Sequence, residues 1–218
     1  WWGDDEQTTP HGITIDHEGY VWLADTGDHL VKKYSPDGTL LLTLGRRHIN
    51  APEMSGLPFN RPTRVAIAQR GDIYVSDGYG NNHVHVFSAD GNHKLTFGGT
   101  GNGPGEFSTP HAIFIDHAQR VYVCDRMNSR IQLFDLDGTY LTEWTGVHQP
   151  DDLVVGPDGT VYIAELQHRI TVWNQDGDRL TGWGDEDCDC PPGPQPSTQC
   201  SAESLDAGMV IGPHGITI

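Results

Sequence analysis

The chain has 218 residues, with 13 Lys and Arg against 30 Asp and Glu, for a formal net charge of −17. That balance argues against a protein that grips phosphate backbones or anionic lipid, because both need clustered cations. With 27 Gly and 14 Pro the chain is rich in turns, which disfavours a helical bundle, and it holds no apolar run near the roughly 18 residues of a membrane helix.

Taken in order, the first residues show neither an initiator Met nor a signal-peptide pattern, so the expectation is a chain whose leader was removed, or a fragment. Trp2-Gly3-Asp4 reads like Trp183-Gly184-Asp185 and suggests the outermost-strand exit of a repeat unit. A first full unit spans residues 10–45, opening on PHGITID and continuing with period-two apolar residues such as Val21 and Leu23. Its grammar returns over residues 61–98, 109–144 and 149–184. Each unit carries an Asp-Gly pair between two strand-like runs, at Asp37-Gly38, Asp90-Gly91, Asp137-Gly138 and Asp176-Gly177, which is a hairpin signal. Four short antiparallel strands per unit, repeated at about 40 to 50 residues, predict β-propeller blades.

Residues 185–208 break the pattern and read as a Cys/Pro-rich loop. Cys188, Cys190 and Cys200 suggest a disulfide clamp in an oxidising compartment, with zinc as the alternative use of the thiols. Cys124, between Val123 and Asp125 on a strand, reads as a buried thiol. Residues 209–218 open a fifth unit as the inner strand of a truncated blade. The expected architecture is one all-β domain, an incomplete propeller of four full blades plus partial blades.

The residue after the aligned proline of each unit is His11, Thr63, His111, Asp151 or His214. In a propeller the first strand of each blade lines the channel, so these five positions ring the axis near one face. Histidine falls on units one, three and five, which in a six-bladed ring lie about 120° apart. Three imidazoles so placed converge on one ion with a coordination position left open, the ligand set of a catalytic zinc site. Against this stands Pro-His-Gly as mere repeat consensus, although units two and four carry Thr63 and Asp151 there. His29 and His83 occupy matched positions after a polar turn, with His168 in a similar place, and all three read as turn residues of the repeat.

Asp28-His29-Leu30 and Asn82-His83-Val84 resemble the motif that names the NHL repeat. The ordered set PHGITID, VSDGYGN, STPHAIFID and VCDRMNSRIQLFD resembles the peptidyl-α-hydroxyglycine α-amidating lyases, six-bladed propellers that release glyoxylate from a C-terminal α-hydroxyglycine. The resemblance implies zinc on His11, His111 and His214, Tyr79 as a catalytic base and Arg126 as an active-site arginine that holds a carboxylate. Considered alone, Tyr79 also fits a turn aromatic, and Arg126 a partner for Asp125 or Asp77. No residue matches a second family arginine upstream of the first histidine. Gly215 stands where the family's structural Ca2+ uses an Asp, so calcium is only weakly implied.

The expected function is a zinc-dependent C–N lyase acting on a small molecule or peptide C terminus. The alternative is a non-catalytic NHL scaffold for a protein or glycan. RNA binding is disfavoured by the charge and the scattered cations. A calcium-dependent lactonase-type site would need more channel carboxylates than Asp151 and Asp152. No nucleic-acid or membrane partner is expected, and the cysteine loop suggests a secreted, periplasmic or extracellular protein.

Overall fold

The computed structural model describes residues 7–166, 168–184 and 214–216. These form four sheets of four antiparallel strands, each strand pairing with the next in sequence. Blade one comprises β1 (Pro10–Ile15), β2 (Val21–Asp25), β3 (Leu30–Tyr34) and β4 (Leu40–Gly45). Blade two comprises β5 (Arg64–Ile67), β6 (Ile73–Asp77), β7 (His83–Phe87) and β8 (His93–Gly98). Blade three comprises β9 (Pro110–Ile115), β10 (Val121–Asp125), β11 (Arg130–Phe134) and β12 (Tyr140–Thr145). Blade four comprises β13 (Pro150–Val155), β14 (Val161–Glu165), β15 (Arg169–Trp173) and β16 (Arg179–Gly184). The inner strands β1, β5, β9 and β13 pack side by side in that order, as a propeller requires.

Each β3–β4 type hairpin turns on its Asp-Gly pair. Gly38, Gly91, Gly138 and Gly177 have φ between 78° and 90°, the left-handed region that costs glycine nothing. In each turn the glycine N–H donates to the carbonyl three residues back, on Ser35, Ser88, Asp135 and Asn174.

Period-two alternation sends successive side chains to opposite faces of a blade, and in blades two and three both faces meet a described neighbour. Trp22, Ala24 and Val31 of blade one pack on Val65, Ile73 and Val75 of blade two. On the other face of blade two, Ala66, Tyr74 and Val84 pack on Ile113, Val121 and Val123. Blade three in turn presents Tyr122, Ile131 and Trp144 to Leu153, Ile163 and Trp173, with the two indoles stacked at 6.1 Å. Each large apolar side chain so buried contributes about 1.5–3 kcal/mol. Burial on both faces explains why β6, β10 and β11 are buried at every residue. Cys124 belongs to this core and is a free, buried thiol.

The repeat alignment needs one correction. His29 matches Asn82, Ser129 and His168, all at positive φ in the turn between the second and third strands. His83 instead opens β7 opposite Asp77, the place Leu30 holds opposite Asp25. The expectations for Trp2-Gly3-Asp4 and for residues 185–208 with Cys188, Cys190 and Cys200 lie outside the described residues; of the inner strand expected at 209–218 only 214–216 are described, and they lie in no strand.

Candidate functional site

A repeated carboxylate sets the ring positions. The second strand of each blade ends in an acid: Asp25, Asp77, Asp125 or Glu165. Each accepts a hydrogen bond from the backbone N–H 17 residues earlier, on Thr8, Asn60, Ser108 and His148, at 2.6–3.0 Å. That donor lies three residues before His11, Thr63, His111 and Asp151 respectively. The chain entering each inner strand is thereby tied to the blade's own second strand before it reaches the axis. Arg130 and Arg169 neutralise two of these buried acids, at 2.8 Å from Asp125 and 2.6 Å from Glu165.

His11 and His111 are the second residues of β1 and β9. The Nδ1–H of His11 donates to the Thr63 carbonyl at 2.9 Å, and that of His111 to the Asp151 carbonyl at 2.7 Å. The imidazole of an odd blade therefore leans on the backbone of the ring position in the next, even blade. A carbonyl only accepts, so both rings carry their proton on Nδ1 and turn an Nε2 lone pair to the axis. Burial lowers the pKa of both rings, that of His111 well below its ordinary value with Arg126 adding to the effect. His214 completes the group from a half-exposed position. The three ring centroids stand 4.8, 5.1 and 4.9 Å apart, close to an equilateral triangle. One ligand atom from each lies within 4.8 Å of the others.

Tyr79 lies in the turn between β6 and β7. It is set there because Gly78 meets the Pro110 carbonyl so closely that a Cβ would stand 2.2 Å from it. The Tyr79 hydroxyl is 3.0 Å from His11 Nε2 and 2.8 Å from His111 Nε2. A phenol has one proton to give, so one of the two lone pairs faces an oxygen that cannot donate. A divalent cation at the common point satisfies both nitrogens, and three neutral imidazoles are a donor set suited to zinc. The residues present therefore fit a three-histidine metal site.

Arg126 opens a 3-10 turn after β10. Its partner is Asp151, at 3.1 Å, rather than Asp125 or Asp77. Its guanidinium carbon stands 5.3 Å from the centre of the Tyr79 ring. Burial raises the Tyr79 hydroxyl, and Arg126 works against that rise. Burial also raises Asp151, again opposed by Arg126. A little deeper, Asp152 takes Arg64 at 3.2 Å and the Ile216 N–H at 3.1 Å, so this carboxylate ties the His214 segment to β5 and β13. An open cavity of about 870 Å3, lined by Ile13, Ile15, Ala66, Ile113 and Asp116, reaches Arg64, Asp152, Gly215 and Ile216 next to the site, while none of the three histidines lines it.

Sequence reading missed the carboxylate tie and the role of Asp151. Both had a signal: an acid 14 residues after the ring position of each of the four blades, and a charged residue where blade two has Thr63.

Residues 55–154 match a family model described as DUF5128, 6-bladed beta-propeller. NHL repeat-containing protein 3 of Homo sapiens is 38% identical over 168 residues, covering 71% of this chain and 48% of that protein. A probable peptidyl-α-hydroxyglycine α-amidating lyase of Caenorhabditis elegans is 36% identical over 129 residues, covering 57% of this chain and 36% of that protein. Peptidyl-α-hydroxyglycine α-amidating lyase 1 of Drosophila melanogaster is 35% identical over 156 residues, covering 66% and 28%. The chain thus spans about half the length of the human protein and less of the lyases. Among solved structures, virginiamycin B lyase from Staphylococcus aureus shares the fold with a TM-score of 0.62 at 18% identity, covering 83% of this chain and 57% of that one.

Proposed function

We propose that this NHL-repeat β-propeller, which resembles the amidating lyases, is a metal-dependent lyase that cleaves the C–N bond of a peptidyl-α-hydroxyglycine or related carbinolamide. The observation that carries the reading is the convergence of His11, His111 and His214 within 4.8 Å, with the Tyr79 hydroxyl against two of the three. A scaffold has no need of lone pairs held toward one point. His11, His111 and His214 would hold the metal, zinc by preference for three imidazoles. When bound, it supplies positive charge that polarises the substrate's hydroxyl oxygen and favours ionised Tyr79.

The chain's own groups divide the remaining work. Arg126 binds the substrate carboxylate through the guanidinium edge that Asp151 leaves open. Tyr79 takes the proton of the α-hydroxyl, and its place between two imidazoles sets the direction of approach. The electron pair of that O–H bond becomes the new C=O of glyoxylate. The C–N pair departs on nitrogen, which takes that same proton back from Tyr79 and leaves as the amide. Thr63 and Asp151 hold the imidazole tautomers through their carbonyls and keep the site in register during the reaction.

The test is glyoxylate release from an N-acyl α-hydroxyglycine by the zinc-loaded chain, with Tyr79→Phe as the variant. Turnover that falls about 100-fold or more in the variant supports the reading, and no release by the wild type contradicts it. A second reading, a non-catalytic scaffold for a protein or glycan, is favoured by the similarity to the human NHL repeat-containing protein 3. The same assay separates the two.

A further inference from the structure

Arg61, Arg64 and Arg126 stand around the histidine point of a chain whose net charge is −17, and they are held differently. Arg126 lies against Asp151 at 3.1 Å and Arg64 against Asp152 at 3.2 Å, so a buried carboxylate compensates each of these partly buried cations. Arg61 is exposed. Its NH2 donates to the backbone carbonyl of Tyr79 at 2.8 Å. That carbonyl is neutral, and it belongs to the residue whose hydroxyl meets His11 and His111. The guanidinium carries several N–H donors in a fixed fork, so one carbonyl anchors it without using it up. Its charge is also felt at the site: burial raises the Tyr79 hydroxyl, and Arg61 acts with Arg126 against that rise.

Arg61 precedes the aligned Pro62 and matches Thr9, Thr109 and Gln149 of the other described blades. Arg61, Thr109 and Gln149 share a φ between 45° and 62°, a left-handed turn that the repeat imposes whatever the side chain. The Arg61 N–H donates to His29 Nδ1 at 3.1 Å, which fixes the residue at the edge shared with blade one. Among these blades, the one that carries a cation here is the one that carries Tyr79. We propose that Arg61 is a specificity-determining residue that recognises an anionic side chain on the residue preceding the hydroxyglycine, so that the site favours acidic peptide C termini. This assignment rests on the lyase reading and names its substrate class. With the substrate carboxylate on Arg126 and its hydroxyl at the histidines, the rest of the peptide runs out to solvent. The first side chain along that path is that of the preceding residue, and a carboxylate there suits the exposed fork of Arg61.

The experiment measures glyoxylate release by the full, zinc-loaded chain from two N-acyl dipeptides, one ending in Glu-α-hydroxyglycine and the other in Gln-α-hydroxyglycine. The two differ in charge and hardly in shape. At low ionic strength the wild type is expected to favour the Glu peptide about three- to tenfold in kcat/KM, the range of an exposed charge pair of good geometry. The preference should shrink toward unity in about 0.5 M salt, and in Arg61→Gln it should vanish through a higher KM for the Glu peptide. A wild-type ratio below about threefold, or a ratio that persists in Arg61→Gln, overturns the assignment. Equal losses on both peptides are the second of these results and would make Arg61 a brace for the Tyr79 turn. The wild-type ratio and its salt dependence decide alone if the variant does not fold. Unhydroxylated peptides ending in Glu-Gly and Gln-Gly, titrated calorimetrically, keep the two readings apart. Tighter binding of Glu-Gly without glyoxylate release from the hydroxylated peptide sinks the lyase reading and leaves the recognition by Arg61 standing. Glyoxylate release with equal kcat/KM for the two substrates sinks the role of Arg61 alone.

Discussion

Gly12 follows the first imidazole, and its substitution separates the packing of the inner strands from the chemistry of the histidine beside it. A Cβ built on Gly12 would lie 2.2 Å from the Thr63 carbonyl oxygen and 3.0 Å from the Arg64 Cα. Ordinary contact needs about 1 Å more, and both obstacles include backbone, so in Gly12→Ala β1 must move away from β5. The same Thr63 carbonyl accepts the His11 Nδ1–H at 2.9 Å, so the move also breaks the bond that holds that ring's tautomer. Overpacking costs about 1–3 kcal/mol, and a buried acceptor stripped of its donor about 1–3 more. The sum, roughly 2–6 kcal/mol, lowers Tm by about 4–24 °C in a domain of this size. Zinc affinity should fall about 10- to 100-fold, the usual effect of losing the group that orients a ligating histidine. Gly215 is the control, because it also follows a proposed ligand. A Cβ there meets Asp152 Oδ2 at 3.7 Å, ordinary contact, so Gly215→Ala should leave Tm within about 2 °C. Calorimetric melting and chelator competition measure both. Wild-type zinc affinity in Gly12→Ala, or equal damage from Gly215→Ala, would refute the reasoning.

Asp125→Ala removes the partner of buried Arg130 and the acceptor for the Ser108 N–H, and should cost about 3–5 kcal/mol in chemical denaturation; a loss under 1 kcal/mol contradicts the tie. Burial lowers the pKa of His11, and that of His111 well below its ordinary value, in the folded chain, so the unfolded chain binds more protons near the ordinary pKa and stability is lost as pH falls through about 6.5. The metal-free chain should lose up to roughly 0.8 kcal/mol per silenced histidine between pH 7.5 and 6, and His111→Gln should flatten the slope; identical slopes tell against it. Burial raises the Cys124 thiol well above its ordinary value, so peptide mapping after iodoacetamide should find it alkylated only on unfolding, and labelling in the native chain would contradict its place in the core.

The blades were legible because their signals are local. An Asp-Gly turn and a period-two run each lie within one hairpin, and the propeller follows from their repetition. The ring positions were legible through the aligned prolines, which mark where each inner strand begins. What escaped was non-local in sequence. Asp125 reads as the end of a strand until its acceptor role toward Ser108, 17 residues back, is seen. Arg126 reads toward its neighbour Asp125, yet the closed face brings the next blade's ring residue, Asp151, nearer, 25 residues on. Short sequence distance misled because a propeller packs each blade's turn against the following blade's entry. His29 and His83 misaligned for a related reason: the one-residue difference between the two turns is invisible until register is known.

The most direct test of the three-histidine site is metal content per chain by mass spectrometry, on the wild type and on His111→Ala. The account predicts about one zinc per wild-type chain, and in the variant a large fall at matched free zinc. Zinc retained at full stoichiometry and affinity in folded His111→Ala would contradict it.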